Sequence, residues 1–150
     1  MSRAWLLSCN PRVWRVEEWL AEGEDAEPLT AWTVRHHRVP IAPGDDVALW
    51  VSGADRGVRA LGRVTEAPFG PVLPRGRYWA EPPRTPTWMV GVEITRRFPV
   101  EPLSGEDLRA DPGFAGALIL RLPRAANPVA LQTEEWAAIE RLAGERDASG

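Results

Sequence analysis

An indole flanked by hydroxyls and guanidinium groups is a suitable platform for a flat heterocycle. The chain holds one such stretch, Thr30-Ala31-Trp32-Thr33-Val34-Arg35, which runs straight into Arg35-His36-His37-Arg38. The ring face can stack on a base while its neighbours read the base edge. Stacking of this kind contributes about 1–3 kcal/mol per base. Core packing is the alternative reading of Trp32, because the chain has 8 tryptophans in 150 residues and a domain of this size must bury several.

Other candidate constellations are weaker. His36 and His37 are adjacent, so their side chains diverge on a strand or a helix, and no metal site is expected. Cys9 is the single cysteine; it closes an apolar run and is expected to pack, not to act as a nucleophile. Glu17-Glu18 and Glu134-Glu135 read as solvated helix faces and dipole partners. There is no P-loop, GxSxG or dinucleotide fingerprint. The expectation is a binding protein with no catalytic residue and no cofactor.

Elements that could position Trp32 are mostly strands. Ala4 to Ser8 is an apolar run ended by Asn10-Pro11. Val13 to Ala21 has helical spacing, with Gly23 as the stop. Glu22 to Pro28 is an acidic loop, and Ala31 to Val34 is short and β-prone. Pro43-Gly44-Asp45 is a turn, followed by a strand at Val47 to Val51, a hairpin loop at Ser52 to Gly57 and an alternating strand at Val58 to Thr65. That hairpin suits a small closed barrel. Pro68 to Pro86 predicts a mobile Pro-rich loop, and Trp88 to Ile94 the next strand. Ser104 caps a short helix, while Ala117 to Leu122 fits strand or helix. Val129 to Leu131 is a short strand, and Thr133 caps a helix from Glu134 to Ala143, with a frayed tail from about Gly144. Trp5 and Trp136 fall on buried stripes, Trp14 and Trp19 flank the first helix, and Trp79 sits in the Pro-rich loop as a stacking residue or lid.

Composition bounds the rest. The length suits one domain spanning 1–150, and the apolar (44%) and charged (26%) fractions are ordinary for a globular chain. No apolar run approaches a membrane span and the N-terminus is a poor signal peptide, so a cytoplasmic setting without membrane contact is expected. Net charge is −3, which does not advertise binding to long duplexes. All 18 basic residues are arginine, so every cation can make bidentate or stacked contacts.

Four stretches, in order, resemble the EVE domain family. They are Trp5-Leu6-Leu7-Ser8-Cys9-Asn10-Pro11; Thr30 to Arg35 with Ile41-Ala42-Pro43-Gly44-Asp45; Leu49-Trp50-Val51-Ser52-Gly53 with Gly57 and Ala60-Leu61-Gly62-Arg63-Val64; and Asn127 with Thr133-Glu134-Glu135-Trp136. Trp88-Met89-Val90-Gly91-Val92 is similar to the family's middle strand. The resemblance implies an α+β, PUA-like fold: a small, mostly antiparallel β-barrel flanked by short helices. It also implies kinship with YTH domains, which hold N6-methyladenosine in an aromatic cage, and an association of bacterial EVE domains with modified bases, including modified cytosine in DNA, often beside restriction components. Trp32-Thr33 matches the first cage step of the YTH pattern, and Asn10 matches a pocket-lining Asn. The second cage aromatic falls on the middle strand, where this chain has Glu93, with Trp88 earlier, so one-sided stacking on Trp32 is expected.

The functional expectation is therefore a monomeric module that reads a modified, for example methylated, base of DNA or RNA. Trp32, Thr33, Asn10, Ser8, Trp50 and Ser52 are the expected base-binding residues, with a core role as the equal alternative for Trp50, and Arg35, Arg38 and Arg56 are the expected phosphate contacts. Restriction or RNA-modification proteins stand as candidate partners. A small-molecule-binding or enzymatic domain of the same fold and a protein-interaction module remain the rival readings.

Overall fold

Ala4–Cys9 (β1), Ala31–Val34 (β2), Asp46–Val51 (β3), Gly57–Val72 (β4), Thr87–Arg97 (β5), Leu103–Ser104 (β6) and Val129–Leu131 (β7) form a seven-stranded sheet in the computed structural model, which describes residues 3–123 and 127–149. The helices are Val16–Glu22 (α1), Gly105–Ala110 (α2), Leu118–Arg121 (α3) and Thr133–Ser149 (α4). Strand order is β2-β5-β4-β3-β1-β7, with β6 on the side of β4. Among the described residues only β1 and β3 pair in parallel, in the register Ala4 to Asp46 through Cys9 to Val51.

The mostly antiparallel sheet with short flanking helices matches the sequence expectation, but the barrel is not closed. Among the described residues no backbone ladder joins β2 to β1. Side chains span that seam instead. Ser8 N donates to Asn127 Oδ1 at 3.1 Å, and Asn127 Nδ2 donates to Thr33 O at 2.8 Å. The Trp32 indole donates to Ser8 O at 3.1 Å. The sheet thus curls until β1 and β2 face each other across one amide and one indole.

Alternation sends the two faces of the sheet into two cores. Trp5, Leu7, Cys9, Val47, Leu49 and Val51 join Trp14, Trp19, Trp32 and Tyr78 in one. Leu6, Ala48 and Trp50 join Phe114, Ile119 and Ile139 under the helices in the other. The tight turn at Pro43-Gly44 (Gly44 φ 91°) delivers Asp45 to the base of the first core. Asp45 is 5% exposed and accepts from Arg3 N (3.0 Å), Ala42 N (3.0 Å) and the Trp5 indole (2.9 Å). Burial alone would raise its pKa, but these donors outweigh it and hold the carboxyl below its ordinary value. A folded-state pKa below the unfolded one stabilises the fold above the unfolded value, and that contribution is lost as pH falls through the folded value. Asp45→Asn is expected to cost about 2 kcal/mol at neutral pH, because it presents an N–H to a site built of donors. Acid titrations of wild type and variant, followed by circular dichroism, should begin to approach each other only below about pH 4 and converge below the folded-state value.

Several boundaries differ from the sequence expectation. Helix α1 starts at Val16, not Val13, because Asn10 O accepts from Val13 N and Trp14 N in a turn. The segment from Pro68 is not wholly loop. Strand β4 runs on to Val72, through four register shifts against β5, and pairs Phe69 with Met89 and Val72 with Thr87. Ala117–Leu122 resolves as helix α3, and Ser104 Oγ caps α2 by accepting from Asp107 N. At α4 it is Gln132, not Thr133, that caps: its N–H donates to Glu135 Oε1 and its carbonyl accepts from Glu135 N and Trp136 N. Helix α4 runs past Gly144, where the frayed tail was expected to begin. Arg146 donates to the carbonyls of Glu101 and Pro102, and Asp147 pairs with Arg96, so the helix continues to Ser149.

Candidate functional site

Trp32 enters the first core from β2, antiparallel to β5 and opposite Val90. The expectation of an open indole face is corrected here: Trp32 is 2% exposed. The Trp14 ring meets it edge-on, with centroids 5.2 Å apart and planes at 88°. Trp79 covers its face, with centroids 5.9 Å apart and planes only 20° from parallel. Trp79 itself is half-buried. Beside this pair lies a cleft of about 100 Å³, lined by Glu27, Leu29, Thr30, Arg75 and Met89 among others. Ligand pockets are usually about 300 Å³ or more, so this cleft is narrow. Two facing indoles separated by one flat ring would need about 7 Å, twice the ~3.5 Å carbon contact distance.

The segment that carries Trp79 was expected to be mobile, yet it is tied at many points. Trp14 and Trp79 form an isolated β-bridge. Arg15 N donates to Tyr78 O at 2.7 Å, and Ala80 N and Glu81 N donate to Val13 O. The Tyr78 hydroxyl donates to Glu22 Oε2 at 2.7 Å and accepts from Glu27 N, and Arg77 forms an ion pair with Glu22. The backbone is therefore held on both sides of Trp79.

The other expected residues divide between two faces. Thr33 is next to Trp32, and its carbonyl and hydroxyl meet Asn127 Nδ2. Ser8 touches Trp32 only through its carbonyl; strand alternation turns its hydroxyl toward the opposite face, where Oγ has no hydrogen-bond partner among the described residues. Asn10 is exposed and accepts from Arg12 N in a local turn. Trp50 is 2% exposed in the second core, stacked near Phe114 at 6.4 Å, and is not brought together with Trp32. Ser52 lies at 3.4 Å from Cys9 O, closing the end of β1. Arg35 and Arg38 are exposed just past β2, and Arg35 N donates to Asn127 O. Arg56 is elsewhere: it pairs with Glu106 at 3.5 Å on a separate hollow of about 590 Å³. The guanidiniums of that larger hollow are already committed. Arg59 is bound to Glu17, Phe98 O and Pro99 O, and Arg146 to two carbonyls.

Asn127 is a residue that sequence reasoning did not place at the site, and Trp79 one that it read as a stacking residue or lid without pairing it with Trp32. Trp79 takes the position opposite Trp32, whereas Glu93 is exposed and Trp88 carries the His37 ring at 4.7 Å. The pairing of Asn10–Arg15 with Tyr78–Glu81 that creates this geometry joins segments about sixty residues apart. Cys9 is buried, and burial pushes its thiol up to about 12, so it stays protonated at neutral pH. Among the described residues no group of three His, Cys, Asp or Glu is disposed to hold a metal ion, and no helix is long and apolar enough to cross a membrane.

Against known proteins, a family model described as the EVE domain matches residues 3–142. No curated protein sequence matches the chain. Solved structures resemble it throughout. A hypothetical protein from Leishmania major has a TM-score of 0.71 at 18% identity, covering 98% of each chain. A protein from Rhodopseudomonas palustris has a TM-score of 0.64 at 18% identity, covering 95% of this chain and 93% of its own. The human THYN1 protein, solved in complex with 5-methylcytosine-containing DNA, has a TM-score of 0.57 at 16% identity, covering 96% and 98%. At these identities the likeness is one of fold.

Proposed function

Because the chain belongs to the EVE domain family, we propose that it is a nucleic-acid-binding module that takes one modified base into the cleft at Trp32 and Trp79. The observation that carries this reading is the pair of nearly parallel indoles at 5.9 Å, one fixed in the core and one on its rim. The slot opens when Trp79 moves outward until the two ring planes stand about 7 Å apart. The base then stacks on Trp32, with Trp79 as the second wall in place of the one-sided platform expected from sequence. Flipping a base out costs a few kcal/mol, which two stacking faces offset.

The lining gives the slot a chemical preference. Met89 and Leu29 offer apolar contact to a methyl group, and the Glu27 carboxylate can accept from an exocyclic amino group such as cytosine N4. A 5-methylcytosine, the base in the DNA bound by the human relative, combines both features. Thr33 and Asn127 hold the strand that carries Trp32. Arg35 and Arg38 supply phosphate contacts at the rim. The test is equilibrium binding to matched modified and unmodified oligonucleotides, as DNA and RNA, at fixed salt. At least one modified member should bind about tenfold or more tightly than its unmodified match, a difference of about 1.4 kcal/mol. Equal affinity within every pair overturns the reading.

A further inference from the structure

Nine of the described arginines are bound internally. Arg15, Arg56, Arg59, Arg63, Arg77, Arg96 and Arg141 each pair with a carboxylate. Arg97 and Arg146 donate to carbonyls. Eight others do neither: Arg3, Arg109 and Arg121, and five more that lie on neighbouring loops. Arg12, Arg35, Arg38, Arg75 and Arg84 are exposed, and their guanidiniums have no hydrogen bond or ion pair among the described residues.

These five are not scattered. Arg12 precedes Val13, whose carbonyl accepts from Ala80 N and Glu81 N. Arg75 lines the cleft beside Trp79. Arg84 lies between that segment and Trp88, on which the His37 ring rests at 4.7 Å. His37 stands between Arg35 and Arg38. Loop 10–15 is thus bonded to loop 73–86, which borders the cleft through Arg75, and loop 35–38 packs through His37 on Trp88 just beyond it. Their five free cations outnumber the carboxylates of Glu27 and Glu81 there. In a chain of net charge −3, this is a local reversal of sign. Five of the eight unpaired guanidiniums fall on these three neighbouring loops, which fits a surface that meets an external polyanion.

We infer that Arg12, Arg75 and Arg84 join Arg35 and Arg38 in a phosphate track around the cleft, so that the ligand is a base within a polynucleotide strand and not a free nucleoside. This rests on the base-reading proposal above. It replaces Arg56 with three cations that sequence reasoning did not select. Phosphate contacts set register and affinity without reading sequence.

Salt dependence tests it. The probe is an oligonucleotide containing 5-methylcytosine, as single strand and as duplex, titrated with wild type, the triple variant Arg12→Gln/Arg75→Gln/Arg84→Gln, and a control variant Arg109→Gln/Arg121→Gln. The control arginines are also exposed and lie on α2 and α3, below the second core. Each phosphate contact contributes about 0.7 (single strand) to 0.9 (duplex) to the slope of log K against log salt. The triple variant should flatten the slope by about 2, and the control should leave it unchanged. Binding whose slope ignores the triple substitution, or falls equally in the control, overturns the track while leaving base reading intact. Absence of binding by wild type to this probe overturns the track; absence across the whole modified panel overturns both.

Discussion

Trp79→Ala should weaken binding of the preferred modified oligonucleotide by about 5- to 150-fold, the equivalent of the 1–3 kcal/mol of one base–indole stack. Trp79 is the better place for this test than Trp32. Trp32 is buried against Trp14, and truncating it would cost about 3–5 kcal/mol of fold stability, confounding any loss of affinity. Trp79 is half-buried, and the backbone on either side of it is held by Tyr78, Ala80 and Glu81 whatever its side chain. Fluorescence anisotropy for affinity, with a thermal melt as the control for folding, reads the two effects separately. The alternative outcome is equally informative. If Trp79 only plugs the cleft, its removal uncovers Trp32 and affinity stays level or rises; either result would exclude the two-walled slot.

The second large effect is expected at the seam. Asn127→Ala removes the acceptor of Ser8 N and the donor to Thr33 O, so two backbone groups of strands that share no ladder lose their partner. Each unsatisfied buried group costs about 1–3 kcal/mol, so chemical denaturation should register a loss of about 2–5 kcal/mol. Asn127→Asp keeps the acceptor for Ser8 N but cannot donate to Thr33 O, and should fall between wild type and alanine. Because the Trp32 indole is anchored to Ser8 O across the same gap, base binding should weaken as well. A variant as stable as wild type would show that ordered water replaces the amide and that the seam does not depend on this side chain.

Much of the sheet was legible from residue pattern. Turn chemistry at Pro43-Gly44-Asp45 and the hairpin at Ser52–Gly57 fixed β3 and β4, and the run at Ala4–Ser8 fixed β1. What the pattern could not carry was pairing at a distance. A strand apolar on both sides, such as Val47–Val51, does not reveal which core receives Trp50, and the parallel partnership with β1 decides it. Proline density from Pro68 to Pro86 suggested mobility. The long bent strand accepts Pro68 and Pro71 where its ladder to β5 is interrupted, and the remaining loop is tied through Tyr78. For the site, the local step Trp32-Thr33 marked one wall. The other wall depends on a bridge between Trp14 and Trp79 that no local spacing encodes.

The outer strands of the sheet carry a last consequence. β2 has four residues and β7 three, and the free side of β2 turns inward on Asn127. An exposed row of unpaired backbone amides is the usual template on which a second chain adds and β-rich aggregates grow. Here one margin is stitched by a side chain and the other ends within three residues, so neither outer strand offers a long ribbon for self-propagating assembly.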